Sequence, residues 1–145
     1  MKTLTIFHDP QCGLCRQFRL WLEGQPRFCE VEFRAFNSAE AIKRFPKISR
    51  LNAAQDVVIL ADDGRWWQGP AAWLTCLWIT RNYRDWSYRL AKPSLLPLVR
   101  KCVHLLSENR LQLSRLLRLH SEKDLRDELQ SQPAPECSSG ICQNL

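Results

Sequence analysis

Two cysteines with two residues between them, Cys12 and Cys15, stand where a short apolar run gives way to apolar residues at helical spacing. No other feature limits the fold as much. Residues 3–7, TLTIF, read as a strand ending at Asp9-Pro10, because the residue before a proline is pushed toward extended geometry. Beyond Cys12, Leu14, Phe18, Trp21 and Leu22 recur on one helical face, and Gly24 is a stop signal. The cysteine pair is therefore expected at the first turn of a helix fed directly by a strand.

The pattern continues along the chain. CEVEFRAF, residues 29–36, alternates apolar and charged side chains and reads as a second strand. NSAEAIKRF follows as a helix, capped by Asn37 or Ser38 and closing before Pro46. VVILA, residues 57–61, is a continuous apolar run of the kind a strand covered on both faces shows. Asp63-Gly64 signals a hairpin turn, RWWQ is its returning strand, and Gly69-Pro70 opens an apolar helix through AAWLTCLWITRNY. The order β-α-β-α-β-β-α over residues 1–86 predicts an α/β core, with parallel pairing between the alternating strands, an antiparallel edge from the hairpin and helices on both faces.

Residues 87–120 then read as a helical extension packed on that core. Leu98, Cys102, Leu105, Leu106, Leu113, Leu116 and Leu117 form its apolar stripe, with Arg100, Lys101, Arg110, Arg115 and Arg118 outside it. Residues 121–145 comprise a charged segment, SEKDLRDELQ, expected as a short solvated helix, and a Pro-, Ser- and Gly-containing tail, expected to be flexible, that carries Cys137 and Cys142.

This order of elements, with a cysteine pair between the first strand and the first helix, is that of the thioredoxin fold. More narrowly, the chain resembles the DCC family, named for its Asp-Cys-Cys signature and described as thiol-disulfide oxidoreductases. Asp9, Cys12 and Cys15 in FHDPQCGLC carry the resemblance, together with QGPAAWL at 68–74, similar to that family's Gly-x-x-Ala segment, and ENRLQLS at 108–114, similar to its late Asn-Arg segment. The chain departs from the family in His8, where an aromatic is usual, and in Pro10, where a glycine is usual. Thioredoxin has a proline between its cysteines and a cis-proline before its third strand; here Gly13-Leu14 lies between the cysteines and RLNAAQDVVIL has no proline. The missing cis-proline takes away a substrate-docking element and a feature that keeps metals off the pair.

The chemistry follows from the residues as well. Disulfide exchange needs one thiol present as thiolate near neutral pH and a second that can resolve the mixed disulfide. A cysteine at a helix start faces unpaired N–H groups and the positive end of the helix dipole, both of which favour the anion. Cys12 is thus the expected nucleophile, and Cys15, one turn further in, is expected to be more buried, less acidic and the resolving thiol. Asp9 would oppose the thiolate by its charge, which leaves it as a proton relay toward Cys15, a helix cap or a plain loop residue. His8, at the strand end, reads as a packing residue. Cys29, Cys76 and Cys102 fall at apolar positions and read as small buried hydrophobes.

Composition bounds the remaining choices. At 145 residues, 45% of them hydrophobic, the chain suits one domain with an appended segment. Seven cysteines spread along it do not suit a structural disulfide framework, and MKTLTIFHD is too short an apolar lead for a secretory signal. No stretch approaches the roughly 18 apolar residues of a membrane span. A cytoplasmic thiol-disulfide oxidoreductase without a bound cofactor is the expectation. Its partner is a protein disulfide or dithiol, with glutathione or a thioredoxin-type reductant as electron source. The net charge of +6 is concentrated between Arg81 and Arg118. It reads as a solvated helix face, with no aromatic interleaving for nucleic acid, and leaves peripheral membrane contact as a functional alternative. Two other classes stand beside the redox reading: a metal-binding protein using Cys12, Cys15 and further thiols such as Cys137 and Cys142, and a thioredoxin-like adaptor with a vestigial pair.

Overall fold

The strand that carries the site, β1 at Thr3–His8, lies inside the sheet and is covered on both faces, with Leu4, Thr5, Ile6 and Phe7 each at most 1% exposed. The computed structural model describes residues 1–131. Its sheet has the order β2-β1-β3-β4, where β2 is Glu30–Ala35, β3 is Val58–Ala61 and β4 is Trp66–Gln68. The α/β core expected from the alternation is therefore present. It is followed by the helices α4 (Arg84–Leu90), α5 (Leu96–Leu116) and α6 (Glu122–Ser131).

The pairing differs from expectation at one point. β1 and β2 are parallel, with Ile6 opposite Phe33, but β3 runs antiparallel to β1, with Ile6 opposite Ile59. The connection between β2 and β3 holds α2 at Ala39–Arg44 and a 3₁₀ helix at Pro46–Arg50, which pack on one face of the sheet without returning the chain to the end at which β1 begins. The chain therefore enters β3 from the end of the sheet at which β1 finishes, which brings residues 53–57 beside the cysteine motif. β3 and β4 form the expected antiparallel hairpin, whose turn places Gly64 at φ +87°, a conformation that costs a residue with a β-carbon.

The period-two alternation divides the core between two faces. Leu4, Ile6, Ile59 and Ala61 point toward α1 (Gly13–Glu23) and α3 (Pro70–Ile79), where they meet Leu22, Ala72, Cys76 and Ile79. Phe7, Val58 and Leu60 point the other way, onto Ala41, Phe45 and Ile48 of α2 and the 3₁₀ helix. Ser38, not Asn37, caps α2 by accepting the Ala41 N–H at 3.2 Å. Gly69 precedes α3 at φ +59°, with Pro70 at the first helical position as the sequence suggested.

The face that α5 turns inward is not the leucine stripe the sequence suggested. Leu96, Val99, Val103, Ser107, Arg110 and Ser114 are buried or half-buried, whereas Leu98, Leu105 and Leu116 are 59%, 50% and 81% exposed. Cys102 is exposed as well, against its reading as a buried hydrophobe; Cys76 is buried and Cys29 half-buried. The reason lies in what α5 packs against. Its second half meets the polar first turn of α1, so hydrogen-bonding side chains are needed there and leucines are displaced outward. The charged segment forms α6, capped reciprocally by Ser121 and Asp124, whose side chains each accept the other's backbone N–H. Among the described residues no helix is long and apolar enough to cross a membrane. Cys137 and Cys142 lie outside the described residues.

Candidate active site

The cysteine motif forms the first turn of α1. Asp9-Pro10-Gln11 folds into a turn in which the Asp9 carbonyl accepts the Cys12 N–H at 3.2 Å and the Asp9 carboxylate accepts the Gln11 N–H at 2.9 Å. Cys12 follows in extended conformation as the helix N-cap, and its Sγ accepts the Cys15 N–H at 3.2 Å. The sulfur thus occupies the position where a serine or aspartate oxygen ordinarily satisfies a free amide. The cap is Cys12 itself; Asp9 caps only the turn that precedes the helix.

This placement sets the acidity of both thiols. A hydrogen bond from the Cys15 thiol, reinforced by the Cys15 backbone N–H and by the charge of Arg110, lowers the Cys12 pKa to about 6 against the opposing effects of burial and of Asp9. Cys15 moves the other way. The hydrogen bond it donates to Cys12, its burial and the neighbouring Cys12 charge all push it up. The expected order of acidity is therefore present, but the expected order of exposure is reversed: Cys12 is 1% exposed and Cys15 half-buried. The first turn of α1 is roofed by the end of α5 and the turn after it. Leu14 donates its N–H to Ser114 Oγ at 3.0 Å, and Gly13 packs directly under Leu119.

Asp9 has a partner that the sequence reading placed on the solvent side of its helix. Arg110 of α5 reaches its carboxylate at 2.7 Å, across 101 residues of chain, and both side chains are only 12% exposed. Its charge offsets Asp9 beside the cysteines and favours the thiolate. Ser114, one turn on, donates its hydroxyl to the Arg110 carbonyl at 2.7 Å while accepting from Leu14, so one face of α5 holds both the acid and the helix start. The one sequence signal for these residues is the Asn-Arg segment at 108–114, which contains both. The companion Asn109 turns back to its own helix and donates to the Leu105 carbonyl.

A cavity of about 30 Å³ opens beside Cys15, lined by Asp9, Phe18, Phe33, Trp73, Asp56 and Arg110. It has room for a water molecule or a small group, not for a peptide. His8 is buried at its margin, edge-on to Phe33 with ring centroids 6.2 Å apart. Among the described residues no three His, Cys, Asp or Glu side chains gather where a metal ion could be held.

No curated protein and no solved structure matches the chain. The family model for DCC1-like thiol-disulfide oxidoreductases does match it, over residues 6–116, a span that takes in Asp9, Cys12, Cys15 and, far along the chain, the Arg110 and Ser114 that fold back onto them. The chain belongs to the DCC1-like thiol-disulfide oxidoreductase family.

Proposed function

We propose that this protein exchanges a dithiol for a disulfide with a protein or small-thiol partner, with Cys12 as nucleophile and Cys15 as resolving thiol. The observation that supports this reading best is the Cys12 sulfur at the α1 N-cap, accepting the Cys15 N–H at 3.2 Å, a placement that lowers the pKa of its thiol. The Cys12 thiolate attacks one sulfur of a partner disulfide, and the other sulfur leaves as a thiolate. Cys15 then attacks the Cys12 sulfur of the mixed disulfide; the partner's second thiolate leaves, and two electrons have passed from the cysteine pair to the partner. The reverse sequence oxidises a dithiol.

The resting arrangement also times the second step. While Cys12 carries charge, Cys15 is held protonated by it. Once Cys12 is tied up in a mixed disulfide that charge is gone, and Cys15 gives up its proton more readily. Asp9, whose carboxylate lines the same cavity as Cys15, is the acceptor we assign to that proton. Arg110 acts as a positioning residue that keeps the carboxylate in place. We assign the protein to the cytoplasm, where its thiols stay reduced and where glutathione or a thioredoxin-type reductant resets the pair.

Equilibration of the full chain with glutathione buffers, read by site-resolved mass spectrometry, tests the assignment. A Cys12–Cys15 disulfide should appear in a single two-electron transition, and Cys15→Ser should accumulate a glutathione adduct on Cys12. An adduct on residue 15 in Cys12→Ser with none on Cys12 in Cys15→Ser would reverse the roles. The absence of any 12–15 disulfide across the buffer range would remove the activity.

A further inference from the structure

A nucleophile that must meet a disulfide sulfur is 1% exposed here, so some part of the protein has to move before exchange. Besides α5 itself and residues 53–57, which line the cavity at Cys15, two turns lie against the first turn of α1. The turn at Asp9–Gln11 is anchored by the Arg110 ion pair and by its own hydrogen bonds to Gln11 and Cys12. The segment from Leu117 to His120, between α5 and α6, is held differently. α5 ends in a Schellman closure, with Leu119 donating to the Ser114 carbonyl at 2.8 Å and Arg118 to the Arg115 carbonyl at 3.1 Å. That closure requires a left-handed residue, and it is supplied by Arg118 at φ +52°, the single non-glycine residue with positive φ among the described residues. Glycine takes this position in most such closures because a β-carbon is strained there. The closed turn is thus assembled at a cost that its opening would release.

Its seat is as specific as its strain. Leu119 rests on Gly13 so closely that a β-carbon at residue 13 would stand 2.7 Å from the Leu119 carbonyl oxygen and 2.9 Å from its Cβ. Leu117, Arg118 and His120 are exposed around it, so within the turn Leu119 is the side chain that seats it, with the buried Ser121 following at the start of α6. We propose that the Leu117–His120 turn is a gate over the Cys12–Cys15 pair, closed by the seating of Leu119 on Gly13 and biased toward opening by the left-handed Arg118. The proposal rests on the redox reading above and adds its regulation: the closed gate withholds Cys12 from small oxidants, and exchange proceeds through the open form. Gly13 between the cysteines is the contact surface of the gate.

Two substitutions should act in opposite directions. Arg118→Gly relieves the strain of the closed form and should slow iodoacetamide alkylation of Cys12 by about three- to ten-fold. Gly13→Ala unseats Leu119 and should speed it by about ten-fold or more; Leu119→Gly, which removes the seated side chain without touching the motif, should do the same more weakly. The measurement is the rate at Cys12 in the full-length reduced protein, resolved by mass spectrometry and taken from pH 5 to 9. A gate changes the plateau rate and leaves the midpoint of the pH profile in place, whereas altered thiol acidity moves the midpoint. Plateau rates within two-fold of one another in Arg118→Gly, Leu119→Gly and the parent, or a midpoint that shifts along with the rate, would overturn the gate. The redox reading fails separately: a variant whose Cys12 alkylates rapidly yet forms no 12–15 disulfide with oxidised glutathione would leave the gate standing and remove the exchange.

Discussion

Arg110→Met is expected to destabilise the protein by about 3 kcal/mol, the lower end of what breaking a buried ion pair costs, because this pair is largely but not fully shielded from water. Asp9 and Arg110 are each only 12% exposed and meet at 2.7 Å, so a methionine at 110 preserves volume but leaves a carboxylate facing the cavity beside Cys15 without its counter-charge. The Gln11 N–H that the carboxylate also accepts is no substitute for a guanidinium. Asp9→Asn in the same background should restore most of the loss, because the double replacement leaves no isolated charge to bury. Urea denaturation of the four proteins gives the coupling directly, and a value below about 1 kcal/mol, as an exposed surface pair would give, contradicts the assignment. The single variant should also alkylate at Cys12 with a higher midpoint pH, since Arg110 favours the thiolate and Asp9 opposes it. That second readout separates a residue that tunes the site from one that merely holds α5 in place.

The Arg110 result bears on what a sequence of this kind discloses. β1, α1 and the cysteine junction are legible because their signals are local: an apolar run, a proline after an aspartate, apolar residues three and four apart. The same holds for Gly64, Gly69 and Pro70, where turn chemistry and helix starts are set by one or two residues. The antiparallel entry of β3 is hidden, since the alternation of elements does not report whether a connection returns the chain along the sheet. The inward face of α5 was hidden for a deeper reason. Hydrophobic periodicity finds the face that meets an apolar surface, and the second half of α5 meets a helix N-terminus and a carboxylate instead, so Arg110 and Ser114 are inside while Leu116 is out. The burial of Cys12 is a product of that same docking and could not be read from its position on α1 alone.

Stability of the reduced protein should rise with pH between about 6 and 9 and fall beyond it. Cys12 is the group that makes it rise. Its thiol titrates at about 6 in the fold against an ordinary value of 9.0, so the folded state binds the thiolate form more favourably than the unfolded chain does. A depressed value contributes stability that is complete above pH 9 and is lost as pH falls through 6. Cys15 and the buried Cys76 work in the opposite sense. Both are raised in the fold, Cys15 chiefly by the hydrogen bond it donates to Cys12 and Cys76 by burial, so what they contribute is complete below pH 9 and is lost above it as the unfolded chain ionises. Urea denaturation under reductant at pH 6, 7.5 and 9 should therefore give increasing stability, and Cys12→Ser should remove the increase; the difference between the two proteins isolates Cys12 from every other group that titrates in this window. Equal pH dependence in the two would mean that the Cys12 thiol is not acidic in the fold. The same preference for a thiolate stabilises the dithiol over the disulfide, so the acidity of Cys12 in the fold also raises the reduction potential of the pair.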